Sequence, residues 1–141
     1  MSVEHGLQAP QGSQPWTTRW ARGVTGGPYR LGSEGMLAEE GIRAEVVKLN
    51  RISPLIHEDV CAALGGRNIL VVLEDAFGVG CVGQRIAAIL AEHKQSPKQM
   101  VLKNLEKTFA PAGSVAELEH SFGLDADGVV AAVREAVKDG K

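Results

Sequence analysis

A run of five apolar residues, Ile69-Leu70-Val71-Val72-Leu73, ends in two acids and a glycine-rich turn, Glu74-Asp75-Ala76-Phe77-Gly78-Val79-Gly80-Cys81-Val82-Gly83, and no other stretch restricts the fold as tightly. A strand with one wet face alternates apolar and polar residues, whereas a run without alternation is covered on both faces, as in a parallel sheet. After the turn, Val82, Ile86, Ile89 and Leu90 recur at the spacing of one helix face. The unit is predicted as a strand, a loop at its carboxyl end and a helix packing back on the sheet. In open α/β sheets such loops are where ligands or neighbouring domains dock.

The flanking sequence repeats this alternation. Met36, Leu37 and Ala38 read as the end of a helix stopped at Gly41, and Ile42 to Leu49 reads as a strand. Asn50 to Leu55 forms a loop kept extended before Pro54, and Val60, Ala63 and Leu64 fit a short helix ended by Gly65-Gly66. Glu92 to Lys98 is a polar linker, and Met100-Val101-Leu102 an edge strand. Ser114 and Glu117 make an S-x-x-E capping box, with Val115, Leu118 and Phe122 facing one way and Gly123 ending the helix. Asp125 is the expected N-cap of a last helix buried through Val129 or Val130, Val133 and Val137. The order implies a three-layer α/β/α structure with a small, mainly parallel sheet. Before Gly35 the chain is rich in Gly, Pro, Gln, Ser and Thr and is expected to be mostly irregular. Trp16, Thr18 and Trp20 have the period of a short strand that Gly26-Gly27-Pro28 would end. Any fourth or fifth strand has to come from this region.

A chain of 141 residues makes one domain, able to bury roughly two thirds of its unfolded surface without disulfides or a structural metal. A net charge of -2 gives no electrostatic reason to expect nucleic acid or an acidic membrane as partner. Two cysteines, Cys61 and Cys81, suit a reducing cytoplasm and read as buried small hydrophobes. No apolar stretch approaches the roughly 20 residues that span a bilayer, and Met1 to Gly35 lacks a signal-peptide pattern.

The loop after the apolar strand holds the candidate site: Glu74, Asp75, Gly78, Gly80 and Gly83, as a domain contact or a small-ligand site. The glycines at a helix start could hold an anion, yet two acids precede them and no P-loop lysine follows, so tight turning and close helix packing is the plainer reading. Adjacent acids at a strand end point in opposite directions, so Glu74 and Asp75 do not converge for acid–base or metal chemistry; helix capping or a polar contact with a neighbouring domain suits them better. His5, His57, His93 and His120 are dispersed in polar settings without HxH or HxxxH spacing, so no metal site is expected. Arg51, Lys48 and Lys103 read as solvated charge, with a small basic rim as the other reading. No nucleophile, base and orienting group can be assembled, so no catalytic residue is assigned.

Several stretches in order resemble the C-terminal domain of the transketolase superfamily, most closely deoxyxylulose-phosphate synthase. They are Leu37-Ala38-Glu39-Glu40-Gly41-Ile42-Arg43-Ala44-Glu45-Val46-Val47, Ile52-Ser53-Pro54-Leu55, Val71-Val72-Leu73-Glu74-Asp75 with its turn, Phe109 to Ser114, and Gly123-Leu124-Asp125-Ala126-Asp127-Gly128-Val129. The resemblance implies a transketolase C-terminal-like domain over residues 36–141, preceded by an irregular or degenerate segment over residues 1–35. Enzymes of this family use thiamine diphosphate and Mg²⁺ to join a two-carbon unit to an aldehyde; in the synthase, pyruvate and glyceraldehyde 3-phosphate yield an isoprenoid precursor. Cofactor and metal sit between two other domains, whose GDG-to-Asn motif and pyrimidine-domain glutamate are not in this sequence, so no cofactor-binding residue is assigned. The implied role is a non-catalytic structural and assembly domain whose partners are the other enzyme domains or a homodimer mate; the alternative is a stand-alone binding or assembly module on the same fold.

The chain departs from the family twice. Where relatives carry an interior strand and an alanine-rich helix, it has the glycine-rich residues Ala21 to Gly35, as a truncated or out-of-frame upstream region would produce. Ile56 stands where relatives have an acidic N-cap.

Overall fold

The computed structural model describes residues 3–5, 17–22, 36–49 and 52–139. Its elements are β1 (Val3–His5), β2 (Thr17–Arg22), β3 (Arg43–Leu49), α1 (His57–Leu64), β4 (Ile69–Leu73), α2 (Val82–Glu92), β5 (Gln99–Lys103), α3 (Val115–Ser121) and α4 (Ala126–Asp139). A helical turn at residues 36–39 precedes β3. The five-stranded sheet has the order β1-β3-β2-β4-β5, parallel except for β1, which joins β3 antiparallel at one edge.

All five residues of β4 are buried, and the period of two divides them between two cores. Leu70 and Val72 pack with Val60 and Leu64 of α1 and with Ile86, Ile89 and Leu90 of α2. Ile69, Val71 and Leu73 pack on the opposite face with Leu37, Leu124 and the α4 residues Val129, Val130 and Val133. The sheet therefore carries helices on both faces, the three-layer arrangement expected from the alternating elements. β5, at the other edge, is only half-buried along its length.

Three features that periodicity alone does not give have physical causes. The segment before Gly35, from which any fourth or fifth strand had to come, supplies β1 and β2, and the rest of it lies outside the described residues. Thr18 and Trp20 of the suggested short strand lie in β2, whose backbone pairs with β3 and β4 at once: Trp20 stands opposite Val46 on one side and Val71 on the other. An interior strand thus exists, placed before the glycine-rich stretch; Trp16 and Gly26-Gly27-Pro28 fall outside the described residues. Backbone ladders form without regard to side-chain polarity, which is why weak periodicity hid this strand. In α3 no residue is buried, Val115 is exposed, and Leu118 and Phe122 are half-buried, so the expected apolar face is only a rim. That short helix is held by its capping box: the Ser114 hydroxyl accepts from the Glu117 amide, and the Glu117 carboxylate accepts from the Ser114 amide at 2.9 Å. In α4 the buried stripe is Val129, Val130, Val133 and Ala136, and Val137 is half-buried, because a helix face drifts between positions three and four apart.

Helix ends follow a common device. The Ile42 amide reaches the Leu37 carbonyl at 2.9 Å across Gly41, and the Leu124 amide reaches the Glu119 carbonyl at 2.7 Å across Gly123. The Gln95 amide reaches the Leu90 carbonyl at 2.8 Å in the same way, across Lys94. The intervening residue has φ of +74° at Gly41, +63° at Gly123 and +56° at Lys94, the left-handed region that glycine enters without steric cost. Ile56 precedes α1 without a side-chain cap bond, as its apolar side chain requires. Among the described residues no helix is long and apolar enough to cross a membrane.

Two outcomes are expected from these ends. Gly41→Ala lowers stability by about 1 kcal/mol in chemical denaturation, a purely conformational loss because no atom lies within 4 Å of the added Cβ; Lys94→Gly raises it by a similar amount. The second concerns α4, whose first turn is capped by Asp125: its Oδ1 accepts from the Gly128 amide at 2.8 Å, and its Oδ2 lies 2.6 Å from His120 Nδ1. This hydrogen bond and the carboxylate charge raise the His120 pKa above its ordinary 6.5. Burial acts to raise Asp125, but the Gly128 amide and His120 outweigh it and leave its pKa lowered. The pair's contribution is fully present below the unfolded histidine pKa and fades as pH rises through the folded one; on the acid side it is lost as pH falls through the folded pKa of Asp125. NMR titration of His120 is expected to give a midpoint above 6.5 that returns toward it in Asp125→Asn.

Candidate functional site

Strand parity builds the loop after β4. Leu70 and Val72 point toward α2, and the same period carries Glu74 to that side. Its carboxylate accepts hydrogen bonds from the Val82 and Gly83 amides at 2.9 and 2.7 Å, and the residue is only 7% exposed. Those amides belong to the first turn of α2, whose N–H groups have no partner within the helix. Cys81, at the N-cap, makes no side-chain cap bond, so the strand supplies the cap that the helix's own sequence lacks. The carboxylate also sits at the positive end of the helix dipole.

The glycines shape this closure. A Cβ on Gly83 would come within 2.6 Å of Leu102 Cδ2 and 3.4 Å of Glu74 Oε2, so its lack of a side chain lets helix and strand approach. Gly80 has φ of +71°, and its amide donates to Gln84 Oε1 at 2.9 Å. The Gly78 amide donates to the Glu106 carbonyl at 2.7 Å, and the Leu105 amide to the Ala76 carbonyl at 2.9 Å, joining the loops that follow β4 and β5. On this double loop Phe77, Val79 and Phe109 are exposed, Val79 by 73% and Phe109 by 82%. The two phenylalanine rings meet edge to face at 5.0 Å. Beside them a cavity of about 350 Å³ is lined by Val79, Gln84, Asn104, Glu106, Lys107 and Thr108.

Glu74 and Asp75 diverge, the first buried against α2 and the second exposed. Burial, with the nearby Glu74 charge adding to it, pushes the Cys81 thiol above its ordinary pKa, so it stays protonated and is a poor nucleophile. A diphosphate does not fit this helix start, because the amides that would bind it already hold a carboxylate and Asp75 adds a second negative charge.

The structure also regroups residues that sequence leaves apart. His57 and His93, read as dispersed, lie with Nδ1 and Nε2 3.1 Å apart and with Glu92 beside them. Proximity in space across two helices has no spacing signal; the only hint is that His57 and His93 stand at predicted helix ends. Lys103 is half-buried with its Nζ beside Gly123, whereas Arg51 and the Lys48 side chain are outside the described residues, so the basic rim is not assembled from described side chains.

Removing the Glu74 carboxylate strands two buried amides at once. Glu74→Ala is expected to lower stability by about 2–3 kcal/mol in denaturant unfolding. Glu74→Gln, which keeps shape and one acceptor, loses about half as much.

Comparison with known proteins agrees with this architecture. The family described as transketolase, C-terminal domain, matches residues 34–129. A 1-deoxy-D-xylulose-5-phosphate synthase from Thioalkalivibrio sulfidiphilus is 35% identical over 104 residues, 74% of this chain and 16% of the relative. A pyruvate dehydrogenase E1 component subunit beta from Dictyostelium discoideum is 26% identical over 106 residues, 75% of this chain and 30% of the relative. Among solved structures, a split gene transketolase described as an inactive beta4 tetramer superposes with a TM-score of 0.73 at 26% identity, covering 89% of this chain and 40% of that one. A 2-oxoglutarate:ferredoxin oxidoreductase from Magnetococcus marinus shares the fold at a TM-score of 0.54 and 14% identity, over 97% of this chain and 20% of that one. The chain spans about a sixth of the length of the synthases it matches. The family match extends over more than half of the 141 residues, so the chain belongs to the transketolase C-terminal domain family.

Proposed function

We propose that this chain is the C-terminal assembly domain of a thiamine-diphosphate-dependent enzyme of the 1-deoxy-D-xylulose-5-phosphate synthase type, contributing no reacting group, and that the double loop after β4 and β5 docks the cofactor-binding domains. One observation carries the reading: the loop where an α/β sheet ordinarily meets its ligand has its helix amides closed by Glu74 and turns Phe77, Val79 and Phe109 outward. A site sealed to anions and open to apolar contact is built for another protein surface. The synthase assignment draws support from identities of 32% and 35% to two synthases, against 26% to the pyruvate dehydrogenase subunit. Thiamine diphosphate and Mg²⁺ would then be held by the docked domains, and this chain would position those domains.

A second reading, a stand-alone assembly module on the same fold, draws support from the structural neighbour described as an inactive tetramer of a split gene transketolase. That protein assembles without activity.

Two measurements test the proposal. Calorimetric titration of this chain with thiamine diphosphate and Mg²⁺ is expected to show no saturable binding, and tight binding by the chain alone would refute the assignment. Mixed with separately produced cofactor-binding domains of such a synthase, the chain is expected to form a complex that Val79→Asp weakens by at least about tenfold, the value of one lost apolar anchor. Self-association in sedimentation without affinity for those domains would favour the second reading.

A further inference from the structure

At the end of the sheet opposite the docking loop, α1 lies against the last turn of α2. The Gly66 amide, just past α1, donates to the Gln95 carbonyl at 3.3 Å, and at the other end of α1 His57 meets the residues that close α2. Glu92 is the last residue of α2 and His93 its C-cap, with the His93 amide donating to the Ile89 carbonyl at 3.1 Å. The helices that carry these groups are fixed by a shared core, in which Val60 and Leu64 pack with Ile89 and Leu90. The three side chains thus project from rigid elements, as a defined binding geometry requires.

Their spacing is that of a coordination polyhedron. His57 Nδ1 lies 3.1 Å from His93 Nε2 and 3.7 Å from Glu92 Oε2, and one ligand atom from each residue lies within 4.8 Å of the other two. Around a tetrahedral zinc with Zn–N bonds of 2.0–2.1 Å, two ligand nitrogens stand about 3.3 Å apart. The rings are nearly perpendicular, at 85°, so they meet edge to face without stacking. In the absence of a cation the imidazoles share one proton, one nitrogen donating and the other accepting. A metal takes that proton's place once His57 carries its N–H on Nε2. The negative end of the α2 dipole and the acids Glu58 and Asp59 in the first turn of α1 favour a cation and offset the positive end of the α1 dipole, at which His57 stands.

We propose that His57, Glu92 and His93 form a Zn²⁺ site, coordinating through Nδ1, a carboxylate oxygen and Nε2 with water in the fourth position, and that the ion braces α1 against α2. Two imidazoles and one carboxylate select zinc and its borderline neighbours over Mg²⁺, which demands oxygen ligands. The site is separate from the docking loop, since the 11 residues of α2 set its ends about 16 Å apart.

The test uses the full chain freed of metal with a chelator and titrated with Zn²⁺, and in parallel with Mg²⁺. One saturable Zn²⁺ per chain is expected, with no matching Mg²⁺ binding. His57→Gln and His93→Gln are each expected to weaken Zn²⁺ binding by at least about tenfold, while His120→Gln leaves it unchanged. Sub-stoichiometric Cu²⁺ added to the unmodified chain is expected to broaden the imidazole signals of His57 and His93 ahead of that of His120, a readout that needs no variant to fold. The proposal is overturned if Zn²⁺ fails to saturate, if the two glutamine variants bind as tightly as the parent, or if Cu²⁺ broadens other histidines first.

Discussion

Burial of β4 on both faces is the constraint from which the remaining structure follows. Leu70 and Val72 serve one core, while Ile69, Val71 and Leu73 serve the other. Neither helical layer can close without a residue from this strand, so the two cores form around a common wall. The same alternation carries Glu74, just past the strand, to the α2 side, where it is buried, while Asp75 in the bend beyond is exposed. The capping of α2 is thus a consequence of parity, reached before any question of function arises.

The burial of Glu74 closes the start of α2 to other anions. Helix starts in α/β proteins are natural anion sites because their amides are unsatisfied. Here the chain satisfies them with its own carboxylate, and Gly83 provides the clearance for it. What is left facing outward includes the apolar Phe77, Val79 and Phe109 beside the charged Asp75, Glu106 and Lys107, on loops joined by backbone hydrogen bonds. The nearby thiol of Cys81 is kept protonated by burial. Chemistry in enzymes of this family is thiamine-diphosphate-dependent, and the helix start here is closed to a diphosphate.

Much of the architecture was legible in the order of residues. β3, β4, the edge strand β5 and helices α1, α2 and α4 fall where apolar periodicity and glycine stops put them, since each buries a continuous stripe against a neighbour. Gly41 and Gly123 mark helix ends because only they enter the left-handed region without penalty, whereas Lys94 does the same work without advertising it. β2 was largely hidden because its place in the sheet depends on ladder bonds to β3 and β4, which any side chain permits. The α3 face misled because spacing reports amphipathicity and cannot report whether a partner surface arrives to cover it. At the candidate loop, divergence of the two acids followed from strand geometry. The meeting of His57, Glu92 and His93 did not, since it arises from two helices brought together by a core neither histidine belongs to.

A helix start that is neutralised from within has a mechanical corollary. The crest formed by Phe77, Val79 and Phe109 is shaped by hydrogen bonds within the chain: Glu74 to the Val82 and Gly83 amides, Gln84 to Gly80, and Glu106 to Gly78. A preformed surface surrenders little conformational freedom on association, so more of its contact energy survives as affinity. In the proposed docking role the turn would therefore work as a fixed jig, holding an incoming surface in register with no slack to follow one that moves.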